Sequence, residues 1–158
     1  MYRFWVLLIL FPVFATSGRI THYPCFYSYR SSTPPVPKWV WVEECDASGC
    51  AVPNGSTRSL RTGFSATSTH QRVSGKMKTF LLGMEFPMEQ PTELANLCDH
   101  IQDGCPIFEG SPERIAELSI TGMSPISGVT VRVELSVMDA DTGHVIACGG
   151  VSRLLLSV

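Results

Sequence analysis

The chain has 158 residues, a length that suits one domain with a single hydrophobic core. Its formal net charge is −2 and only 16% of its residues are charged, so it lacks the basic excess that binding to nucleic acid or an anionic membrane surface requires. Hydrophobic residues make up 44% of the chain, which excludes intrinsic disorder and favours buried strands.

The first segment, residues 1–18, has the layout of a secretory signal peptide. Arg3 precedes an apolar run over residues 4–14, and small residues follow it up to Gly18. The run is too short for a membrane anchor, which needs about 20 apolar residues. We therefore expect cleavage near Gly18, leaving residues 19–158 as one secreted or lysosomal domain in a compartment where disulfides persist.

The rest of the sequence favours short strands over helices, because its apolar residues recur in steps of two. A proline-rich stretch, residues 31–37, is an extended connector, and residues 92–97 can hold at most a turn or two of helix. Six strands with turns between them predict an antiparallel β-sandwich. In chain order they cover residues 38–43, 58–69, 73–84, 113–121 (with a mixed signal), 129–138 and 144–156.

The clearest strand is residues 129–138, where five aliphatic residues alternate with Thr130, Arg132, Glu134, Ser136 and Met138. This period of two predicts one face in the core and the other in water. The segment that follows, Asp139–Gly143, has the composition of a hairpin turn.

Six cysteines can pair in 15 ways, and no sequence rule selects one of them. Two pairs each flank a short polar loop that contains glycine, so their members can approach within bonding distance. Gaps of four and six residues do not favour a zinc site, which uses shorter spacings. Spacing thus favours three disulfides: Cys45 with Cys50, Cys98 with Cys105, and the remaining Cys25 with Cys148.

Motifs for catalysis are not evident in the sequence. The four histidines are scattered, and we expect them to be solvated. Asp139 and Asp141 lie in a predicted turn, where acidic residues favour solubility and turn formation. There is no G-x-S-x-G motif, so we predict a protein that is not an enzyme and needs no metal or cofactor.

The motif Asn54-Gly55-Ser56 matches the acceptor sequence for N-glycosylation. It lies in a Pro-Asn-Gly turn signal, which predicts an exposed position. A plain β-turn is the alternative interpretation.

Two apolar segments are less usual for a solid sandwich. Residues 81–88 combine methionine, leucine and phenylalanine with a proline, so they cannot form a central strand throughout. Residues 123–126 form a second apolar loop before the long strand. They either pack against the edge of a filled core or rim the mouth of a cavity between the sheets.

Several motifs together resemble the ML lipid-recognition family, which includes the secreted sterol carriers of Niemann-Pick type C disease and the group 2 mite allergens. They are the order of the six cysteines, the Cys-Pro-Ile at residues 105–107, and the turn at 139–143 followed by Val-Ile-Ala-Cys. The resemblance covers about residues 25–156. It implies an immunoglobulin-like sandwich with the three disulfides given above and a lipid held between the two sheets.

The resemblance also implies roles for particular residues. Phe86 looks like the aromatic residue that faces the sterol in the carriers, and Ile126 resembles the opposite gate residue, which is aromatic there. Leu135 stands where the carriers have tryptophan, so a fatty acid or another small lipid fits as well as a sterol. Strand phase and resemblance together predict these lipid-binding residues: Phe64, Phe80, Leu82, Phe86, Met88, Ile120, Met123, Ile126, Val131, Val133 and Leu135.

The sequence therefore predicts a secreted lipid-binding carrier, in lipid transport or in innate immune lipid sensing. Its partners would be a small hydrophobic ligand and a receptor or lipid-accepting protein. The alternative is an interaction module with a solid core that acts through surface contacts. A secreted hydrolase is a third option that no motif supports.

Overall fold

The computed structural model describes residues 18–26, 28–29, 33–122 and 128–157. The predicted signal peptide before Gly18 lies outside the described residues, as do Met123 and Ile126. In chain order the strands are β1 (Arg19–Ile20), β2 (His22–Pro24), β3 (Trp39–Val42), β4 (Cys50–Pro53), β5 (Thr57–Phe64), β6 (Val73–Leu81), β7 (Met84–Phe86), β8 (Arg114–Thr121), β9 (Val129–Asp139) and β10 (Val145–Ser157).

The first sheet has the strand order β1-β3-β5-β8, and all of its pairings are antiparallel. Alternation along β3 decides its two faces: Val40 and Val42 are buried, whereas Trp39 and Trp41 are half-buried on the outside. The Arg61 guanidinium carbon lies 5.1 Å from the centroid of the Trp41 ring. The β-branched valines therefore build the core side, and the aromatic rings cover the outer backbone.

The second sheet has the order β2-β10-β9-β6-β7, and β4 adds a parallel pairing to β10. Its centre is the antiparallel pair of β9 with β10, which are 11 and 13 residues long. Buried residues of both sheets form one hydrophobic cluster between them. The architecture is thus the predicted two-sheet, immunoglobulin-like sandwich.

Two predicted strands are shorter in the structure than in the sequence interpretation. β5 ends at Phe64, and residues 65–72 leave the sheet because they are mostly small and polar. β6 ends at Leu81, because Leu82 and Gly83 take positive φ values of 51° and 82° and turn the chain into β7.

The middle of the outer face of β9 is buried, contrary to the prediction that this face lies in water, whereas Thr130 at its start is exposed. Glu134 and Ser136 are buried, because the chain before β3 folds over them. The Ser28 amide donates to Glu134 Oε2 at 2.9 Å, and the Tyr29 hydroxyl donates to Ser136 Oγ at 3.2 Å. The period of two correctly places the inner face, but it cannot show that another segment covers the outer one.

The three predicted disulfides are all present. Cys25 is bonded to Cys148 across a separation of 123 residues, which attaches the N-terminal segment to the outer face of the second sheet. The other two bonds, Cys45 to Cys50 and Cys98 to Cys105, close short loops.

Two 3₁₀ helices, Thr92–Ala95 and Leu97–His100, fill part of the gap between β6 and β8, and we call them the plug. Leu94 and Leu97 are buried in the core. A Cβ atom on Gly75 of β6 would lie 2.6 Å from Leu94 Cδ2, so the lack of a side chain at Gly75 lets Leu94 pack this closely against the strand. After the plug, Ile101 forms an isolated bridge with Ala116 of β8.

Candidate functional site

A narrow apolar space, the deep crevice, lies between the inner faces of the two sheets. The first sheet contributes Val40, Leu60 and Phe64 to its lining, and the second contributes Leu135 and Val151. Its volume is about 20 Å³, which is room for about one water molecule. The interior is therefore packed in this conformation, and the deep crevice is a seam in the core rather than an open chamber.

A second apolar space, the mouth crevice, continues the first toward the surface. It has a volume of about 40 Å³, and its lining includes Met77, Thr79, Met88 and Val131. Both crevices are also lined by Ile120, Val133 and Leu154. These shared side chains make the two spaces parts of one path between the sheets.

The path reaches the surface between β8 and the chain that follows β7. A surface groove of about 310 Å³ lies there, bordered by residues 88–93 and by Ser119. Met77, Met88 and Thr121 line both this groove and the mouth crevice. We call these three residues, together with Ile120, the mouth.

The side chain of Gln90 holds the chain beside the mouth in place. The Met77 amide donates to Gln90 Oε1 at 2.8 Å, and Gln90 Nε2 donates to the Met77 carbonyl at 2.7 Å. β7 pairs with residues 79–81 of β6, so among the described strands none reaches Met77 on this side. The carboxamide therefore makes the hydrogen bonds that one residue of a neighbouring strand would make. It also holds Met88, which is two residues before Gln90, against the mouth crevice.

The lining of the two crevices is almost free of polar groups. Among the described residues that line them, none is ionisable. The Thr62 hydroxyl donates to the Trp39 carbonyl at 3.2 Å, whereas Thr79 Oγ1 is buried and has no hydrogen-bond partner in the part of the chain that the structure describes. What this lining offers a guest molecule is burial of apolar surface.

Comparisons with known proteins agree with this architecture. The family model of the ML domain matches residues 20–153. The chain belongs to the ML family. Among solved structures, a Niemann-Pick type C2 protein from the Japanese carpenter ant matches with a TM-score of 0.65 and 14% sequence identity, over 87% of this chain and 99% of that one. At this identity the likeness shows the fold alone. No curated protein matches the sequence.

ML domains are a lipid-binding family, and six of the eleven predicted lipid-binding residues line the path described above. Phe64 and Leu135 line the deep crevice, and Met88 and Val131 line the mouth crevice. Ile120 and Val133 line both. The alternation of β9 accounts for half of this agreement, because three of the six, Val131, Val133 and Leu135, are its inward residues.

Three other residues that were predicted to bind lipid lie away from the path. Phe80 is buried on the outer face of the second sheet, because the odd-numbered residues of β6 face inward. Leu82 is 90% exposed in the turn between β6 and β7. Phe86 is half-buried beside a surface groove and lines neither crevice.

The sequence interpretation missed lining residues on several strands. Val40 and Val42 of β3, Leu60 of β5 and Leu154 of β10 all face the crevices. A signal for the first two was present, because they alternate with the tryptophans. Thr79 was missed because the sequence interpretation placed the even-numbered Phe80 and Leu82 inward, whereas the odd-numbered residues of β6 face the core.

Ser68, His70 and Asp139 form a hydrogen-bonded chain where β6 begins and β9 ends, away from both crevices. His70 is buried, which corrects the expectation that all four histidines are solvated. Its Nδ1 lies 2.8 Å from Asp139 Oδ2, and its Nε2 lies 3.1 Å from Ser68 Oγ. Asp139 also accepts hydrogen bonds from Thr142 and from the Asp141 amide. The hydrogen bond from His70, followed by those from Thr142, holds the pKa of Asp139 well below its ordinary range.

Two further findings concern the described residues as a whole. Within them, no helix is long and apolar enough to cross a membrane. They also contain no group of three or more histidine, cysteine, aspartate or glutamate side chains arranged to hold a metal ion.

Proposed function

We propose that this ML domain is a secreted, non-enzymatic carrier that holds one small lipid between its two sheets. The observation that carries the proposal is the apolar path from the surface groove through the mouth crevice to the deep crevice. A fatty acid, a sterol or a related small lipid would occupy it. Family membership supports the class of ligand, and the lining supports the position.

A lipid can enter only if the path widens, because volumes of about 20 and 40 Å³ are far too small for an acyl chain. β6 and β8 belong to different sheets, so they can move apart at the mouth without breaking a ladder of hydrogen bonds. Met77 and Met88 have flexible, unbranched side chains that adapt to a new neighbour. The mouth is therefore the part of the sandwich that we expect to open.

Burial of the lipid provides the driving force. Transfer of a sixteen-carbon chain from water releases about 12 kcal/mol at about 0.8 kcal/mol per methylene. Association costs at least about 4 kcal/mol, and widening the crevices adds a further cost. The balance corresponds to affinities in the micromolar range or weaker for a plain acyl chain.

We further propose that residues 1–18 are removed during secretion and that the mature protein acts outside the cell or in the lysosome. Asn54 is exposed in a turn, where a glycan could be attached. A receptor or lipid-accepting protein would take the lipid at the destination.

The proposed function is tested by extracting the protein from its native source with organic solvent and identifying lipids by mass spectrometry. The purified protein is then titrated with fluorescent fatty acids and sterols. Ile120→Trp adds bulk where the two crevices join, so we expect it to reduce binding at least tenfold. Phe108→Trp changes an aromatic residue that is 56% exposed and lines neither crevice, and it should bind as the unsubstituted protein does.

A second candidate function, the interaction module with a solid core, is favoured by the small volume of the crevices. The same titration separates the two. A solid-core module would carry no lipid and show no saturable binding, and Ile120→Trp would then change only its stability.

A further inference from the structure

The hydroxyl of Thr79 is the unusual atom in the apolar path. Thr79 is 1% exposed, and its Oγ1 has no hydrogen-bond partner among the described residues. It lies on β6 opposite Val133 of β9, with its side chain in the lining of the mouth crevice. A buried hydroxyl without a partner destabilises the folded protein, so its presence in this position needs an explanation.

Thr62 shows what a buried threonine of the same interior does when its role is structural. It is 2% exposed and lines the deep crevice, but its hydroxyl donates to the Trp39 carbonyl at 3.2 Å. The backbone of β3 therefore satisfies Thr62. The two threonines match in burial and differ in hydrogen bonding.

We propose that the Thr79 hydroxyl is the polar anchor of the binding path, which hydrogen-bonds an oxygen atom of the bound lipid. The inference rests on the proposed function and narrows its ligand to amphiphiles that carry a hydroxyl, carbonyl or carboxyl oxygen. A plain hydrocarbon would fill the same space and leave the hydroxyl unpaired.

The position of Thr79 also fixes the direction in which the lipid lies. Thr79 lines the mouth crevice, whereas the deep crevice contains no unpaired hydroxyl among its described lining residues. The oxygen-bearing end of the lipid therefore stays near the mouth, beside Met88, and its apolar end points toward Leu135. A carboxyl or hydroxyl at the mouth also remains close to the solvent of the surface groove.

The first experiment compares the ligand-free stability of Thr79→Val and Thr62→Val by urea unfolding. Valine has the shape of threonine but lacks the hydroxyl. Thr79→Val removes a polar group that has no partner, so we expect its unfolding midpoint to equal or exceed that of the unsubstituted protein. Thr62→Val removes a hydrogen bond to Trp39, so its midpoint should fall.

The second experiment measures binding of two matched pairs of probes, palmitic acid with hexadecane and cholesterol with cholestane. We expect Thr79→Val to weaken binding of the oxygen-bearing member of at least one pair by about 2- to 12-fold, the effect of one ordinary hydrogen bond. Binding of the hydrocarbon member should stay unchanged. A loss for palmitic acid alone assigns a carboxyl to Thr79, and a loss for cholesterol alone assigns a hydroxyl.

The anchor is overturned if Thr79→Val binds palmitic acid and cholesterol as tightly as the unsubstituted protein, or loses affinity for the hydrocarbons equally. A drop in ligand-free stability as large as that of Thr62→Val would also contradict it, because the hydroxyl would then have a partner in the protein. Failure of the unsubstituted protein to bind any of the four probes would reject the carrier function itself and the anchor with it.

Discussion

Strands β6 and β8 face each other across the gap between the sheets, and the two halves of this gap are filled in different ways. In one half the plug packs Leu94 and Leu97 against β6, and Cys98 of the plug is bonded to Cys105. In the other half the mouth contains the flexible Met77 and Met88, and beside it the side-chain amide of Gln90 takes the place of a strand. The same pair of strands is thus bridged by the plug in one half and lined by flexible side chains in the other, so we expect stability and the proposed ligand entry to depend on different residues.

The largest effect that this comparison predicts is on stability at the plug. Leu97 has no exposed surface, so Leu97→Ala should lower the free energy of unfolding by about 2–5 kcal/mol. Met88→Ala, at the mouth, truncates a half-buried side chain and should cost less. Urea unfolding measures both, and lipid titration should show the reverse order of effects. A larger stability loss for Met88→Ala than for Leu97→Ala would refute the division between the halves.

A smaller, pH-dependent effect on stability is expected where β6 begins and β9 ends, because His70 binds Asp139 there. The folded pKa of Asp139 is lowered, so its charge stabilises the fold above the ordinary aspartate pKa of about 3.9 and loses that contribution as the pH falls below it. Asp139→Asn should therefore be less stable than the unsubstituted protein at pH 7 and approach it below pH 4. Unfolding by urea at several pH values measures this difference.

Asp141→Asn is the matched control for this experiment. Asp141 lies in the same turn, but it is exposed and paired with Arg72 at the surface, where an ion pair contributes little. Its substitution should change stability only slightly across the pH range. A difference between Asp139→Asn and the unsubstituted protein that is constant from pH 7 to pH 2 would show that the charge of Asp139 is not the cause.

The sequence was sufficient for the features that depend on local pattern. The alternation in β9 identified Val131, Val133 and Leu135 as inward residues, because a period of two is the signature of a strand with one face in the core. Short polar loops identified two of the disulfides, because their ends must lie close together. These patterns were enough for the fold and for one wall of the path.

Features that depend on register and on distant packing were not predictable in this way. Moving one residue along a strand exchanges its two faces, and this is why Phe80 lies outside whereas its neighbour Thr79 lies inside. The positive φ of Leu82, which turns it into solvent, is rare for a bulky residue and has no sequence signal. The pairing of Gln90 with Met77 joins residues 13 apart through a side chain, which periodicity cannot show.

The Gln90 pairing leads to a small predicted change in stability and to the most direct test of the proposed opening of the mouth. Gln90→Ala removes both hydrogen bonds to Met77, which should lower the free energy of unfolding by about 1 kcal/mol. Because the edge of the sheet beside Met77 is then unpaired, the Met77 amide should exchange its hydrogen faster. Hydrogen exchange followed by NMR measures this without any lipid.

If the chain beside Met88 must swing away for a lipid to pass, the same substitution should also speed the transfer of bound fatty acid to acceptor vesicles. If the Gln90 side chain must leave Met77 before the lipid moves, loss of about 1 kcal/mol of hydrogen bonding increases the rate of transfer about fivefold. Gln102→Ala is the control, because Gln102 is exposed and bonds β8 through its backbone amide. Faster hydrogen exchange at Met77 with unchanged lipid transfer would mean that the lipid passes elsewhere along the gap, and the mouth would then be an adjustable edge without a role in entry.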